Sequence, residues 1–114
     1  MNHDPQTETI AASDPTVHIV DDDMGLLDGL AFLVRAAGFH ALTYSSGEQF
    51  LSSMRDAPGA LDGDGCILLD LRLLGLQGDD VFRTLHDIAP SPGMPVLFLS
   101  GHGDIPTASA LLKQ

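Results

Sequence analysis

The sequence predicts an α/β fold in which helices cover a mostly parallel sheet. Short apolar runs alternate with segments of helical periodicity, giving the order β-α-β-α-β-α-β-α, which requires right-handed crossovers. The run at 66–69 is apolar and is closed by Asp70, as expected of a buried strand that delivers a carboxylate to the sheet edge. Predicted strands at 16–20 and 94–99 likewise run into polar residues, so one edge of the sheet collects several polar groups.

The first half of the chain contains two predicted strands, each followed by a helix. Residues 1–15 are polar and aperiodic, and we expect a flexible tail. From Gly25, apolar residues recur at three- and four-residue steps, which predicts a helix that ends at Gly38. Ser46 and Gln49 have the spacing of a capping box, which predicts the start of the second helix. The two strands are predicted at 16–20 and 39–44.

The second half repeats the alternation. Residues 56–65 are rich in Gly, Pro and Asp and predict a surface loop before the strand at 66–70. Apolar residues between 81 and 88 predict a third helix, which is closed by two prolines. The fourth strand is predicted at 94–99, and apolar residues at 105–112 predict a fourth helix. We find neither an internal repeat nor a second domain.

Composition excludes several classes of function. The 114 residues carry a formal net charge of −11, with 5 basic against 16 acidic side chains, which disfavours nucleic-acid binding and suits a cation or a basic partner surface. Simple solubility explains most of these acids equally well. No apolar stretch is long enough to cross a membrane, and the N-terminus does not resemble a secretory signal. The single Cys66 predicts a buried small side chain in a reducing, cytoplasmic setting.

The predicted acidic edge has a definite chemistry. Asp21, Asp22 and Asp70 would repel one another there and raise a carboxyl pKa, unless a hard divalent cation such as Mg²⁺ joined them. A carboxylate beside Mg²⁺ can attack phosphorus and form an aspartyl-phosphate. Ser100 and its neighbouring glycines offer a hydroxyl and backbone N–H groups to a phosphoryl oxygen.

Each of these residues also has an ordinary structural role. Acids that follow strands commonly cap helices, and we expect Asp23 to do so. Ser100 fits a turn equally well. His102 has no second His or Cys at ligand spacing, which favours a solvent-facing side chain over a metal ligand.

Three motifs together resemble those of two-component response-regulator receiver domains. They are Val20-Asp21-Asp22-Asp23, Leu69-Asp70-Leu71-Arg72 and Leu99-Ser100-Gly101-His102-Gly103-Asp104. The Ser-Gly-His-Gly-Asp loop of the third motif and the opening His18-Ile19-Val20-Asp21-Asp22 resemble the FixJ-like branch in particular. The similarity extends from Thr16 to residue 114 with order and spacing intact. The resemblance implies a flavodoxin-like (CheY-like) doubly wound sheet with strand order 2-1-3-4-5. It also implies a sensor histidine kinase as phosphodonor.

The resemblance also implies residue roles. Asp70 matches the phosphoacceptor, and Asp22 and Asp70 match ligands of Mg²⁺ (or Mn²⁺), with the backbone carbonyl of Arg72 as a third ligand and Asp21 acting through water. Ser100 matches the switch hydroxyl. Arg72 and His102 occupy positions that, in this family, tune hydrolysis of the phosphoryl group.

The sequence departs from the family in two places. Family members often have proline one residue after the position of Leu73, where this chain has Leu74. A complete receiver continues into a fifth strand with a catalytic lysine and a fifth helix; Lys113 lies in the fourth-helix region, and we assign it no such role. We therefore expect an incomplete receiver domain at 16–114, with no DNA-binding output. We also expect a homodimer or strand-swapped oligomer formed through the open edge of the fourth strand: Val96, Leu97, Phe98 and Leu99.

Three hypotheses follow. The leading one is a phosphorylatable signalling switch with at most slow self-catalysis, rather than an enzyme. The second, motivated by the absence of the catalytic lysine, is a receiver-like dimerisation module that acts without phosphorylation. The third, an aspartyl-phosphate hydrolase, is disfavoured because Arg72 stands where a second acid would be needed.

Overall fold

The computed structural model describes residues 15–90 and 93–99. In this part of the chain, four strands alternate with three helices and one 3₁₀ turn. The elements are β1 (Thr16–Val20), α1 (Met24–Ala36), β2 (His40–Tyr44), α2 (Gly47–Asp56), the 3₁₀ turn (Pro58–Leu61), β3 (Gly65–Asp70), α3 (Gly78–Ile88) and β4 (Val96–Leu99).

The four strands form one sheet in the order β2-β1-β3-β4, and every neighbouring pair is parallel. This confirms the predicted fold class. Residues 1–14 of the predicted tail (1–15), the predicted fourth helix, Ser100, His102 and Lys113 lie outside the described residues.

The helix starts follow from local capping. The Asp23 carboxylate accepts the Leu26 N–H at 3.1 Å and caps α1, as predicted. The Ser46 hydroxyl accepts the Gln49 N–H at 3.0 Å and caps α2. The side chain of Gln49 returns to the N–H of Ser45, not to that of Ser46, so the predicted capping box closes one residue early.

The structure differs from the prediction at the loop before β3 and at the start of β4. The predicted loop at 56–65 contains the 3₁₀ turn, whose Leu61 is buried in the core. Strand β4 begins at Val96 instead of residue 94, although Met94 is buried and the Pro95 carbonyl already accepts the Ile67 N–H. Gly65 begins β3 at φ +138°, where a Cβ would lie 1.8 Å from the Thr16 carbonyl oxygen, so only glycine permits this close approach to β1.

Each face of the sheet carries an apolar core. On one face, α2 and α3 cover a cluster that includes Val20, Phe50, Leu69 and Leu85. On the other, α1 covers a smaller cluster that includes Ile19 and Leu27. Cys66 packs against this second cluster and is half-buried, less than predicted, and desolvation raises the pKa of its thiol. No helix in the described ranges is long and apolar enough to cross a bilayer.

Candidate phosphoacceptor and cation site

The site forms where β1 and β3 end side by side. Val20 pairs with Leu69 in parallel register, so the next residues, Asp21 and Asp70, leave adjacent strands at the same level. Both carboxylates are buried, with 2% and 3% of each residue exposed, and Asp22 beside them is half-buried. One ligand oxygen from each of the three acids lies within 4.8 Å of the others. The predicted convergence of these carboxylates is therefore observed.

Backbone N–H groups hold all three carboxylates. Asp21 accepts the Asp23 N–H, and Asp70 accepts the Arg72 N–H, both at 2.9 Å and both two residues ahead. Asp22 accepts the Leu74 N–H at 2.8 Å across 52 residues of sequence. An ionised carboxylate is stabilised by such donors, which partly offset the repulsion within the cluster.

Burial and the neighbouring charges disfavour the ionised form of Asp21. Desolvation by burial raises its pKa above the ordinary aspartate value, and the charges of Asp70 and Asp22 raise it further, while the Asp23 N–H opposes the shift. A bound cation would reverse this balance by favouring the ionised form. Among the described residues, the cluster consists of three carboxylates with no nitrogen or sulfur donor. This is the ligand set that Mg²⁺ and Mn²⁺ prefer, so these residues fit such an ion.

The loop after β3 forms one wall of the site. Leu73 is buried in the core, its carbonyl accepts the Gln77 side-chain N–H at 2.9 Å, and Gly75 turns the chain at φ +77°. Between them the Leu74 side chain is 80% exposed, while its N–H reaches Asp22. Sequence reasoning noted the unusual residue at this position but missed the contact, because a backbone donor leaves no side-chain signature.

The predicted roles of Arg72, Ser100 and His102 stay predictions. Arg72 is the second residue of this loop, and a ligand role for its carbonyl stays a prediction. Strand β4 brings Leu99 opposite Asp70, so the chain leaves the described range beside the acids, immediately before Ser100. The roles of Ser100 and His102 are untested because both residues lie outside the described ranges.

Comparison with known proteins decides the family. The family model described as "Response regulator receiver domain" matches residues 17–114. This chain belongs to the response regulator receiver family. Receiver domains are the signalling switches of two-component systems, and the family match confirms the resemblance described above.

Curated relatives and solved structures agree with this assignment. The receiver domain is 39% identical over 97 residues to the response regulator protein TmoT of Ectopseudomonas mendocina, covering 85% of this chain and 41% of that protein. It is 36% identical over 97 residues to the transcriptional regulatory protein FixJ of Azorhizobium caulinodans, covering 85% and 43%. The chain therefore spans less than half the length of these two relatives.

Two solved structures resemble the fold closely. The crystal structure of FixJ-N has 35% identity and a TM-score of 0.64, with 88% of this chain and 74% of that chain covered. A response regulator receiver protein from Burkholderia phymatum has 31% identity and a TM-score of 0.69, with 87% and 75% covered. These likenesses confirm the predicted CheY-like receiver fold.

Proposed function

We propose that this receiver domain is a phosphorylation switch in which Asp70 accepts a phosphoryl group from a sensor histidine kinase. The observation that carries the proposal is the convergence of Asp21, Asp22 and Asp70 within 4.8 Å at the carboxyl edge of a parallel sheet. In the reaction, an Asp70 carboxylate oxygen attacks phosphorus as the phosphohistidine P–N bond breaks and its electrons return to the imidazole.

The chain's own residues prepare this transfer. The Arg72 N–H donates to one oxygen of Asp70 and so restricts the orientation of the carboxylate. Asp21, Asp22, Asp70 and the Arg72 carbonyl are the proposed cation ligands, with Asp21 acting through water. The cation, Mg²⁺ or Mn²⁺, would neutralise phosphoryl charge. Burial of Asp21 and Asp70 keeps bulk water from two of the three acids.

The remaining roles rest on the family resemblance. Ser100 is the proposed switch hydroxyl, and Arg72 and His102 are proposed to set the lifetime of the acyl phosphate. We place the exchange in the cytoplasm, where a reduced Cys66 is expected.

The proposal is tested by intact mass spectrometry after incubation with acetyl phosphate and Mg²⁺. We expect a gain of one phosphoryl group, about 80 Da, in the unaltered chain. The variant Asp70→Asn should lose the gain, whereas Asp28→Asn, which removes an exposed carboxylate on α1, should retain it. A folded protein that takes up no phosphoryl group, or an Asp70→Asn variant that still does, would contradict the proposal.

A second proposal concerns the outer edge of β4. Within residues 15–90 and 93–99, this strand pairs with β3 alone, and Leu97 is 41% exposed. An apolar edge without a neighbouring strand in these ranges is a template for another strand, which supports a homodimer or strand-swapped oligomer formed through Val96, Leu97, Phe98 and Leu99. Sedimentation equilibrium should then show mass increasing with concentration. Self-association without phosphoryl uptake would favour the alternative function, an interaction module independent of phosphorylation.

A further inference from the structure

The three acids of the site are held in two different ways. Asp21 and Asp70 each accept an N–H from two residues ahead, which is the local geometry of an Asx turn and follows from the chain's own path. Asp22 accepts its N–H from Leu74, on the loop that follows another strand. This bond ties the loop after β1 to the loop after β3 through a carboxylate of the site.

Asp22 depends on that contact more than its neighbours do. Asp70 is the last residue of β3, and Asp21 continues directly from β1 with its N–H bonded to the Tyr44 carbonyl at 3.1 Å. Asp22 lies beyond the strand and is half-buried, so its side chain has more rotamers to choose from. A charge-assisted bond of 2.8 Å selects one of them.

The donor itself is well anchored. Leu73 is 2% exposed in the core, and the Gln77 amide is bonded to its carbonyl. Gly75 adopts φ +77°, and a Cβ there would lie 3.0 Å from the Glu48 carboxylate. The Leu74 side chain is exposed to solvent, so Leu74 contacts the site through its backbone N–H, which these two anchors hold in place.

We propose that the Leu74 backbone N–H is a positioning group for the cation site, which holds the Asp22 carboxylate towards Asp21 and Asp70. This inference rests on the proposed function, because it assumes that these acids bind a hard divalent cation. A carboxylate has two oxygens, and a donor on one leaves the other for the ion. Hydrogen bonds of this kind to ligating carboxylates typically change metal affinity by about ten- to a hundredfold when lost.

Family members often have proline at position 74, so the N–H that makes this contact is a feature of this chain. Positioning of Asp22 requires the N–H and is indifferent to the side chain at position 74. Alanine retains the donor, and proline removes it. Leu74→Ala and Leu74→Pro are therefore matched variants at one site, and replacement of the Leu74 amide by an ester removes the donor without a ring.

The first experiment measures Mn²⁺ affinity of the full chain by electron paramagnetic resonance, with circular dichroism to establish folding of each variant. We expect Leu74→Ala to bind like the unaltered protein and Leu74→Pro to bind about ten- to a hundredfold more weakly. The ester should weaken binding in the same direction, and it keeps the test valid where proline disrupts folding. The proposal would be overturned if the folded variants without the N–H bound Mn²⁺ as tightly as the unaltered protein. It would also be overturned if they bound Mn²⁺ more tightly, because the N–H would then compete with the cation for Asp22.

A second readout separates positioning from competition in the unaltered chain. Amide hydrogen exchange at Leu74 should slow when Mg²⁺ is added, because the bond and the ion hold the same carboxylate. Faster exchange would mean that the cation displaces the N–H, which contradicts positioning. If the unaltered protein bound no Mn²⁺ at all, the cation site of the proposed function would fail, whereas binding that is insensitive to the Leu74 donor overturns this inference alone.

Discussion

The crowded carboxylates predict that removing one charge stabilises the cation-free protein. Asp21 is buried, and its pKa is raised first by desolvation and then by the charges of Asp70 and Asp22. Two unit charges at the 4.8 Å limit of this cluster repel by about 3.5 kcal/mol at an effective dielectric constant of about 20. Water at the half-buried Asp22 and the backbone donors reduce this repulsion.

Asp21→Asn retains an acceptor for the Asp23 N–H but loses the charge-assisted part of that bond, which costs about 1 kcal/mol. Combining this loss with the screened repulsion, we expect the unfolding free energy to rise by about 1–2 kcal/mol. The measurement is urea denaturation in EDTA, with Asp28→Asn as the control for a lost exposed charge.

Magnesium should reverse the order of stability. Binding to the folded state alone adds RT ln(1 + [L]/Kd), about 2.7 kcal/mol at a hundredfold excess over Kd, to the unaltered protein. The Asp21→Asn variant retains two of the three acids and should gain less. The reasoning is refuted if Asp21→Asn is less stable than the unaltered protein in EDTA, or if Mg²⁺ stabilises both equally.

Three further outcomes follow from the cores. Tyr44→Phe leaves Nδ1 of the buried His18 without its 2.9 Å partner, and we expect urea denaturation to show a loss of about 1–3 kcal/mol. Burial lowers the pKa of His18 below 6.5, so on acidification His18 is protonated in the unfolded chain at a higher pH than in the folded chain. The unfolding free energy should therefore fall as the pH drops below 6.5, and the variant His18→Leu should show a weaker dependence on pH. Gly47→Ala places a Cβ 2.4 Å from a Val81 methyl, and the unfolding free energy should fall by about 1–3 kcal/mol. Adding Val81→Ala should restore part of this loss, because it removes the methyl. If the effects of the two substitutions simply add in the double variant, this contact is not the cause.

Periodicity and turn chemistry were sufficient to predict the elements that depend on local sequence. The run ending at Asp70 is a central strand, and the caps at Asp23 and Ser46 are where their residue types place them. The 3₁₀ turn was missed because Gly, Pro and Asp also specify loops, and its cause is the burial of Leu61 against distant residues. Local sequence carries no record of that contact.

The candidate site was also predictable only in part from the sequence. Asp21, Asp22 and Asp70 were predictable because parallel strands bring their carboxyl ends to one edge. The Leu74 N–H was not, since every residue except proline carries one, and only the path of the loop selects which donor meets Asp22. The predicted full burial of Cys66 was wrong: the residue is half-buried, because α1 covers β1 and β2 more than it covers β3.

The central claim is that Asp70, among three clustered acids, forms the acyl phosphate. The direct measurement is peptide mapping by tandem mass spectrometry after acetyl phosphate and Mg²⁺ treatment, followed by borohydride, which reduces an aspartyl-phosphate to homoserine. The account predicts homoserine at position 70, with Asp21 and Asp22 unchanged. Homoserine at position 21 or 22, or at none of the three positions in a folded protein, would contradict it.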